Sequence, residues 1–338
     1  MIYSKFNYNI LMQNLKKLIY NKLTFISLGV LWSTFCIYFI FQSLKLDLPI
    51  NQHDIRFYFK ENGRDLKYLS CRLLNNAKKS IYLQSFGFSD PDLINILNLK
   101  SNESRIDIRL DKKDINPLIK SPNINFHPYR NKGIMHRKII AIDQAFIFLG
   151  STNLTTTGLK IHKNHWVCIK SSPLYMAIEQ NKMYEEKNLS YYPIPECKKK
   201  ALQTLKNRLD SAKNKISIAM YAFSNKEIAE KLICAKRRGV DVEVFLDKSL
   251  SRSISKGIKT TLIKHKIPVY TNLSNSLLHH KCALVDHSFV FGSANWTEAG
   301  FNKNDEYLVI IDALDKKQTK EIQKFFKKIR NSSLLITK

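Results

Sequence analysis

The residues able to do chemistry come in a matched pair. His136-x-Lys138 is followed by Asp143, and His279-x-Lys281 by Asp286, each with four residues between lysine and aspartate. Both copies run on into a Gly-Ser-x-Asn segment, Gly150-Ser151-Thr152-Asn153 and Gly292-Ser293-Ala294-Asn295. This set of groups suits a phosphodiester. A lysine ammonium neutralises a non-bridging oxygen, while asparagine amides and backbone N–H groups hold the others where charge builds in a transition state. Imidazole titrates near neutrality, so one histidine can attack phosphorus while a second protonates the leaving alkoxide. Single histidines such as His53, His127, His162 and His265 read instead as core or turn residues. His136 and His279 stand apart because lysine, aspartate, Gly-Ser and asparagine recur around both.

Strands must carry these groups. Residues i and i+2 of a strand share a face, so His136 projects with Lys138 and His279 with Lys281, while His280 points the other way and reads as structural. Lys138–Ile142 with Phe146–Leu149, and Lys281–Val285 with Phe289–Phe291, read as hairpins. Antiparallel pairing then brings each His-x-Lys to its own Gly-Ser-x-Asn. Upstream, Ala77–Ser89 lines up with Ala212–Ser224 and Ile106–Asp111 with Val242–Asp247. Ordered matches of this kind indicate an internal duplication.

Helical spacing at 66–78, 91–99, 202–213 and 226–238 alternates with short β-rich runs at 81–86 and 216–221. The predicted fold class is therefore α/β: two tandem repeats, 52–190 and 197–332, each a mixed sheet flanked by helices. Tyr191–Pro195 reads as the linker, and 112–133 and 248–276 as long substrate-facing loops. Lys316–Arg330 reads as a basic amphipathic helix docked on a sheet.

The 338 residues carry a net charge of +27, and residues 1–50, with five Lys and one Asp, leave +23 to the rest. Such a field favours polyanions, either an anionic phospholipid membrane or nucleic acid. The six cysteines show neither a C-x-x-C pair nor zinc-type spacing, so no metal and no cofactor is expected, and the thiols read as buried. A basic segment, 1–22, precedes the uncharged run Leu23–Phe41, which extends to Leu44. That length predicts a transmembrane anchor at 23–44, with the N-terminus cytoplasmic and the catalytic body across the membrane. Secretion after signal cleavage is the alternative.

The doubled H-x-K-x4-D with G-S-x-N resembles the phospholipase D superfamily over about residues 55–330. The resemblance implies metal-independent, two-step chemistry through a covalent phosphohistidine at one composite site, for which a monomer suffices. It casts His136 as nucleophile and His279 as general acid, the reverse assignment remaining open. Lys138, Lys281, Asn153 and Asn295 would grip the phosphate together with Ser151 and Ser293, and Asp143 and Asp286 would support the histidines. Glu306 stands where the family often has Glu, with His165 as its apparent first-half counterpart. The implied function is hydrolysis or transfer of phospholipid head groups; a nuclease and a cardiolipin synthase-like transferase are the alternatives.

Overall fold

The structure is a computed structural model that describes residues 12, 20–22, 24–38, 47–111, 121–129 and 133–337. The chain divides into two compact units, Met1–Asp47 and Leu48–Lys338. In the first, residues 24–38 are helical and their apolar side chains, among them Phe25, Leu31 and Trp32, are exposed. No helix among the described residues is long and apolar enough to cross a membrane. The expected single-pass anchor and its membrane localisation are therefore overturned; residues 23 and 39–44 of that stretch lie outside the described residues.

The second unit contains both repeats. Strands β1 (Ile55–Phe59), β2 (Ser80–Ser85), β3 (Arg105–Leu110), β4 (Ile124–Phe126), β5 (Lys138–Ile142), β6 (Phe146–Gly150) and β7 (His165–Lys170) form a sheet in the order β1-β7-β6-β5-β2-β3-β4. Helices α1 (Leu66–Asn75), α2 (Pro91–Lys100), α3 (Thr156–Lys160) and α4 (Ser172–Glu179) accompany it. The second sheet uses β8 (Tyr184–Glu186), β9 (Leu189–Ile194), β10 (Lys215–Met220), β11 (Asp241–Leu246), β12 (Val269–Asn272), β13 (Lys281–Val285), β14 (Ser288–Gly292), β15 (Glu306–Ile311) and β16 (Ser333–Ile336). Their order is β16-β12-β11-β10-β13-β14-β15-β9-β8. Its helices are α5 (Lys198–Ser211), α6 (Lys226–Arg237), α7 (Lys256–Lys264), α8 (Glu298–Asn302) and α9 (Lys316–Asn331).

The repeat is visible in the caps and the registers. Asp90 caps α2 through Leu93 N–H and Asn225 caps α6 through Ile228 N–H, each satisfying an orphan donor of the first turn. In both sheets the central strand pairs parallel on one side, β2 with β3 and β10 with β11, and antiparallel on the other, with β5 and β13. Strands β5 and β13 are buried along their whole length.

The two halves share a core. Phe57, Leu149 and Val167 of the first pack in one cluster with Phe289, Phe291 and Val309 of the second, and Phe57 meets Phe289 edge to face at 5.6 Å. Helix α9 adds Ile322, Phe325 and Ile329 to that cluster, with Asp315 and Gln318 forming a capping box at its start.

Three expectations change. Tyr191–Pro195 is not a linker: β9 pairs with β15 along its length, so residues 184–194 belong to the second sheet. Residues 248–276 contain α7 and β12, whose apolar residues are masked in the sequence by surrounding Ser, Lys and Asn. Strands β1, β7, β15 and β16 were also not anticipated.

Candidate active site

Each His-x-Lys opens its strand, and the same three-dimensional accident of pairing recurs in both halves. Ile139 lies opposite Leu149, and Cys282 opposite Phe291, so Lys138 and Lys281 sit by the Gly-Ser ends of β6 and β14. Glycine is required there: a Cβ on Gly150 would lie 2.1 Å from His165 O, and one on Gly292 2.2 Å from Tyr307 O. The backbone before each motif then crosses to the other half. His136 N–H donates to Asp305 O and His279 N–H to Lys163 O, both at 2.9 Å.

The side chains cross as well. His136 Nδ1 lies 2.7 Å from Glu306 Oε1, a carboxylate of the second half that is fully buried. His279 Nδ1 lies 3.0 Å from Asn164 Oδ1 and 3.0 Å from Ser151 O, both of the first half. Carboxylate and carbonyl oxygens can only accept, so each ring carries its proton on Nδ1 and presents Nε2 for chemistry. Asn164 was missed by the sequence reading, which set His165 against Glu306. Gly150 lies opposite Trp166 and Gly292 opposite Leu308, which makes Asn164 the counterpart of Glu306 and His165 that of Tyr307. The offset of 142 between the two Gly-Ser pairs, carried onward, would have found it.

Both lysines are buried. Lys281 Nζ lies 3.3 Å from His279 Nε2 and 3.0 Å from His279 O, and Lys138 Nζ donates to His136 O. Each ammonium also stands over an aromatic face, Lys138 over Phe86 at 5.5 Å and Lys281 over Tyr221 at 5.1 Å. Burial pushes His136 down to about 4; Glu306 pulls it up, while Lys138 and Lys281 press it down. Burial likewise drives His279 well below its usual value, followed by the charges of Lys281 and Lys138. Lys281 is itself lowered by burial and then by Lys138. Both lysines thus act on both histidines, and the pocket is a concentration of desolvated positive charge that an anion would relieve.

Asn153 and Asn295 each leave Oδ1 buried without a protein partner. An orphaned amide atom is costly, and its recurrence at the same place in both halves fits groups whose partner is the substrate. Rotating the amide would present Nδ2 instead.

Other expected site residues are engaged elsewhere. Asp143 accepts backbone N–H bonds from Lys78, Lys79 and Ser80, and Asp286 from Lys213, Asn214 and Lys215. Both sit in the hairpin turns with positive φ, 53° and 48°, at the far end of the strand from the histidines. They fasten β5 to β2 and β13 to β10 and do not support the imidazoles directly. Ser151 Oγ donates to Asn164 Oδ1 at 2.8 Å and Ser293 Oγ accepts from Tyr307 N at 3.0 Å, so both hydroxyls brace the site and are not aimed at phosphate. His165 faces His280, not either catalytic ring.

Among the described residues, one cluster has metal-ligand atoms within 4.8 Å of one another, His165, His280 and Cys282. Burial, then the Glu61 charge, raises the Cys282 thiol well above its usual value, which opposes the thiolate a metal needs.

Each histidine–lysine pair has its ring held by the opposite half, which is what the doubled motif's resemblance to the phospholipase D superfamily would require of a composite site. The comparisons agree. The family described as "Cardiolipin synthase, PLD-like domain" matches residues 70–184 and 205–330, and the chain belongs to this family of the phospholipase D superfamily.

A phospholipase D of Rickettsia conorii is 30% identical over 149 residues, which are 43% of this chain and 74% of that protein. A mitochondrial cardiolipin hydrolase of Danio rerio is 30% identical over 122 residues, 36% of this chain and 53% of the relative. The chain thus spans about half the length of that curated relative. The crystal structure of phosphatidylserine synthase from Haemophilus influenzae Rd KW20 shares the fold, with a TM-score of 0.70 at 14% identity over 86% of this chain and 90% of that one.

Proposed function

We propose that the chain is a phosphodiesterase of the phospholipase D type that hydrolyses, or transfers to another hydroxyl, the head group of a glycerophospholipid. The observation that carries the reading is the unequal support of the two rings: His136 has the Glu306 carboxylate at 2.7 Å, and His279 has neutral oxygens. A carboxylate on Nδ1–H makes Nε2 more nucleophilic and stabilises the cationic phosphohistidine that follows. His136 is therefore the nucleophile. Its Nε2 attacks phosphorus as the P–O bond to the leaving group breaks, and the departing alkoxide takes a proton from His279 Nε2. His279 then removes a proton from water, whose oxygen attacks phosphorus and expels His136.

Burial and then the charges of Lys281 and Lys138 favour the neutral form of His279. A bound phosphodiester anion offsets both lysines, so substrate binding itself charges the acid. Lys138, Lys281, Asn153 and Asn295 hold the anion.

The lipid reading is supported by relatives named phospholipase D and cardiolipin hydrolase. A nuclease is the second reading, favoured by the +27 net charge.

The test is to incubate the full chain in EDTA with cardiolipin or phosphatidylcholine vesicles, or with single-stranded DNA, and to quench for phosphohistidine. Head-group release or cardiolipin cleavage without nicked DNA, with label on His136, is expected. Cleaved DNA beside intact lipid would replace the lipid reading with the nuclease, and label confined to His279 would reverse the roles.

A further inference from the structure

Three loops border the second catalytic ring. Strands β11 and β12 continue the sheet parallel to β10, whose last residue, Met220, lies opposite Lys281. The segments after them, 248–256 and 272–278, therefore leave the sheet at the end where Lys281 stands. A third segment, 160–164, precedes β7 and is tied to the others: Lys163 N–H donates to Leu277 O, and Lys163 O accepts from His279 N–H, both at 2.9 Å. Lys248 N–H donates to Asn272 Oδ1 at 2.8 Å. Leu273 N–H donates to Ser332 O at 3.1 Å, and the Ser332 hydroxyl accepts from Lys163 Nζ at 3.1 Å. The ring of His162 is centred 6.3 Å from that of His279. The three loops thus form one connected surface beside the site.

Its charge is one-sided. The segments hold Lys160, Lys163, Lys248, Arg252 and Lys256 and no aspartate or glutamate. Where two of them meet, Lys248, Ser249, Arg252 and Ser274 help to line a pit of about 200 Å³. Asp247 also lines it, but its carboxylate is 1% exposed and accepts from Ser249 N–H, Ser249 Oγ–H and Leu278 N–H. The charge offered to solvent is that of the lysine and the arginine. An ammonium, a guanidinium and serine hydroxyls suit a phosphate group.

Apolar side chains stand out of the same surface. Ile161 is 53% exposed, Ile254 55% and Leu273 58%. Branched aliphatic groups left in water among cations mark a surface that something covers. The three segments contain no Phe, Tyr or Trp on which the bases of a nucleic acid would stack. Aliphatic tips set among lysines match the boundary of an anionic bilayer, where the tips pass the head groups and the cations meet the lipid phosphates.

We propose that the loops at 160–164, 248–256 and 272–278 are a docking face for an anionic phospholipid leaflet. Ile161, Ile254 and Leu273 enter the acyl boundary, Lys248 and Arg252 hold the phosphate of one lipid in the pit, and His279 is brought to the lipid layer. The proposal rests on the lipid reading of the site and names the partner surface of that site.

The test is hydrogen exchange by mass spectrometry on the full chain, at short labelling times, with vesicles of phosphatidylcholine containing phosphatidylglycerol, with pure phosphatidylcholine vesicles, and with single-stranded DNA. We expect phosphatidylglycerol to slow exchange in the three loops and phosphatidylcholine alone not to. Leu273→Glu should abolish that slowing, whereas Leu99→Glu, at a leucine 64% exposed outside the three loops, should retain it. Lys248→Gln with Arg252→Gln should raise severalfold the phosphatidylglycerol fraction needed for half-maximal slowing. Slowing confined to the helix at 24–38, equal slowing by phosphatidylcholine, an unchanged half-maximal fraction or the same loss in Leu99→Glu would each overturn the proposal. Slowing of these loops by DNA and not by vesicles would overturn it in favour of nucleic acid. Exchange is read without turnover, so the two readings fail separately: slowed loops without lipid cleavage would sink the phospholipase reading alone, and lipid cleavage without slowed loops would sink the docking face alone.

Discussion

His136 gives its Nδ1 proton to a carboxylate at 2.7 Å, whereas His279 gives its own to an amide oxygen and a backbone carbonyl at 3.0 Å. The strands that carry the two rings are nearly identical in register and burial, and so are the glycines, lysines and turn aspartates around them. The two halves share these lysines, glycines and turn aspartates and differ in the acceptor that meets each ring. On the proposed mechanism, Glu306 against Asn164 separates a nucleophile from an acid, because an anion on Nδ1–H stabilises the ring when it becomes positively charged and a neutral amide does so far less.

The comparison can be broken most severely at the rings themselves. His136→Ala should remove turnover and the covalent intermediate together, a loss on the order of 10⁴-fold or more. His279→Asn should instead let phosphohistidine accumulate on a substrate with a good leaving group, as read after an alkaline quench. Equal behaviour of the two variants would return the site to symmetry.

Next in size is Glu306→Gln, which leaves the ring in place and takes away its anion. A fall in kcat on the order of 10²- to 10³-fold with little change in KM is expected, against a much smaller effect for Asn164→Ala. Conversely, Asn164→Asp brings a carboxylate toward His279. An adjacent anion favours the protonated imidazole, so the pH limb assigned to the acid should move upward by about one unit.

A stability measurement sharpens the same contrast. His136 is held at about 4 in the folded chain, below the 6.5 of a free imidazole. A depressed histidine contributes stability that is present above pH 6.5 and lost as pH falls through 4, because the unfolded chain takes up the proton first. The window is worth about 3 kcal/mol at most. His136→Asn should flatten the urea midpoint between pH 6.5 and 4, and an unaltered pH slope would contradict the burial of a neutral ring.

The smallest catalytic effect belongs to the turn aspartates. Asp143→Ala or Asp286→Ala removes an acceptor of three backbone N–H groups and should cost about 1–3 kcal/mol of stability. Activity per folded molecule should stay within a few-fold, since neither carboxylate reaches a histidine. A large loss of kcat in a fully folded variant would return these residues to the site.

Much of this was legible in the chain because it is local. The i, i+2 spacing of His136 and Lys138, the hairpins, the capped helices Pro91–Lys100 and Lys226–Arg237 and the basic helix at Lys316–Asn331 follow from periodicity and turn residues. What escaped was non-local or compositionally quiet. Strand β9 reads as a linker because Pro193 and Pro195 flank Ile194, yet it pairs with β15, and Pro193 lies beyond the residues of β9 that β8 covers on the other side, where a missing donor is tolerated. The apolar residues of α7 are too few to signal a helix until Ile258 and Leu262 meet the core of the second half.

The sequence by itself determined the phosphate chemistry, the doubling of the motif and the membership of both copies in one chain, since residue type and spacing along a strand are enough for these. Only the tertiary structure decided which acceptor meets which ring. Those partners lie 170 and 115 residues away, in the opposite half, and strand register together with face-to-face packing of two sheets brings them within hydrogen-bond distance. Spacing along the chain carries no information about that distance. The same reason placed Asp143 and Asp286 at the turns and not at the histidines.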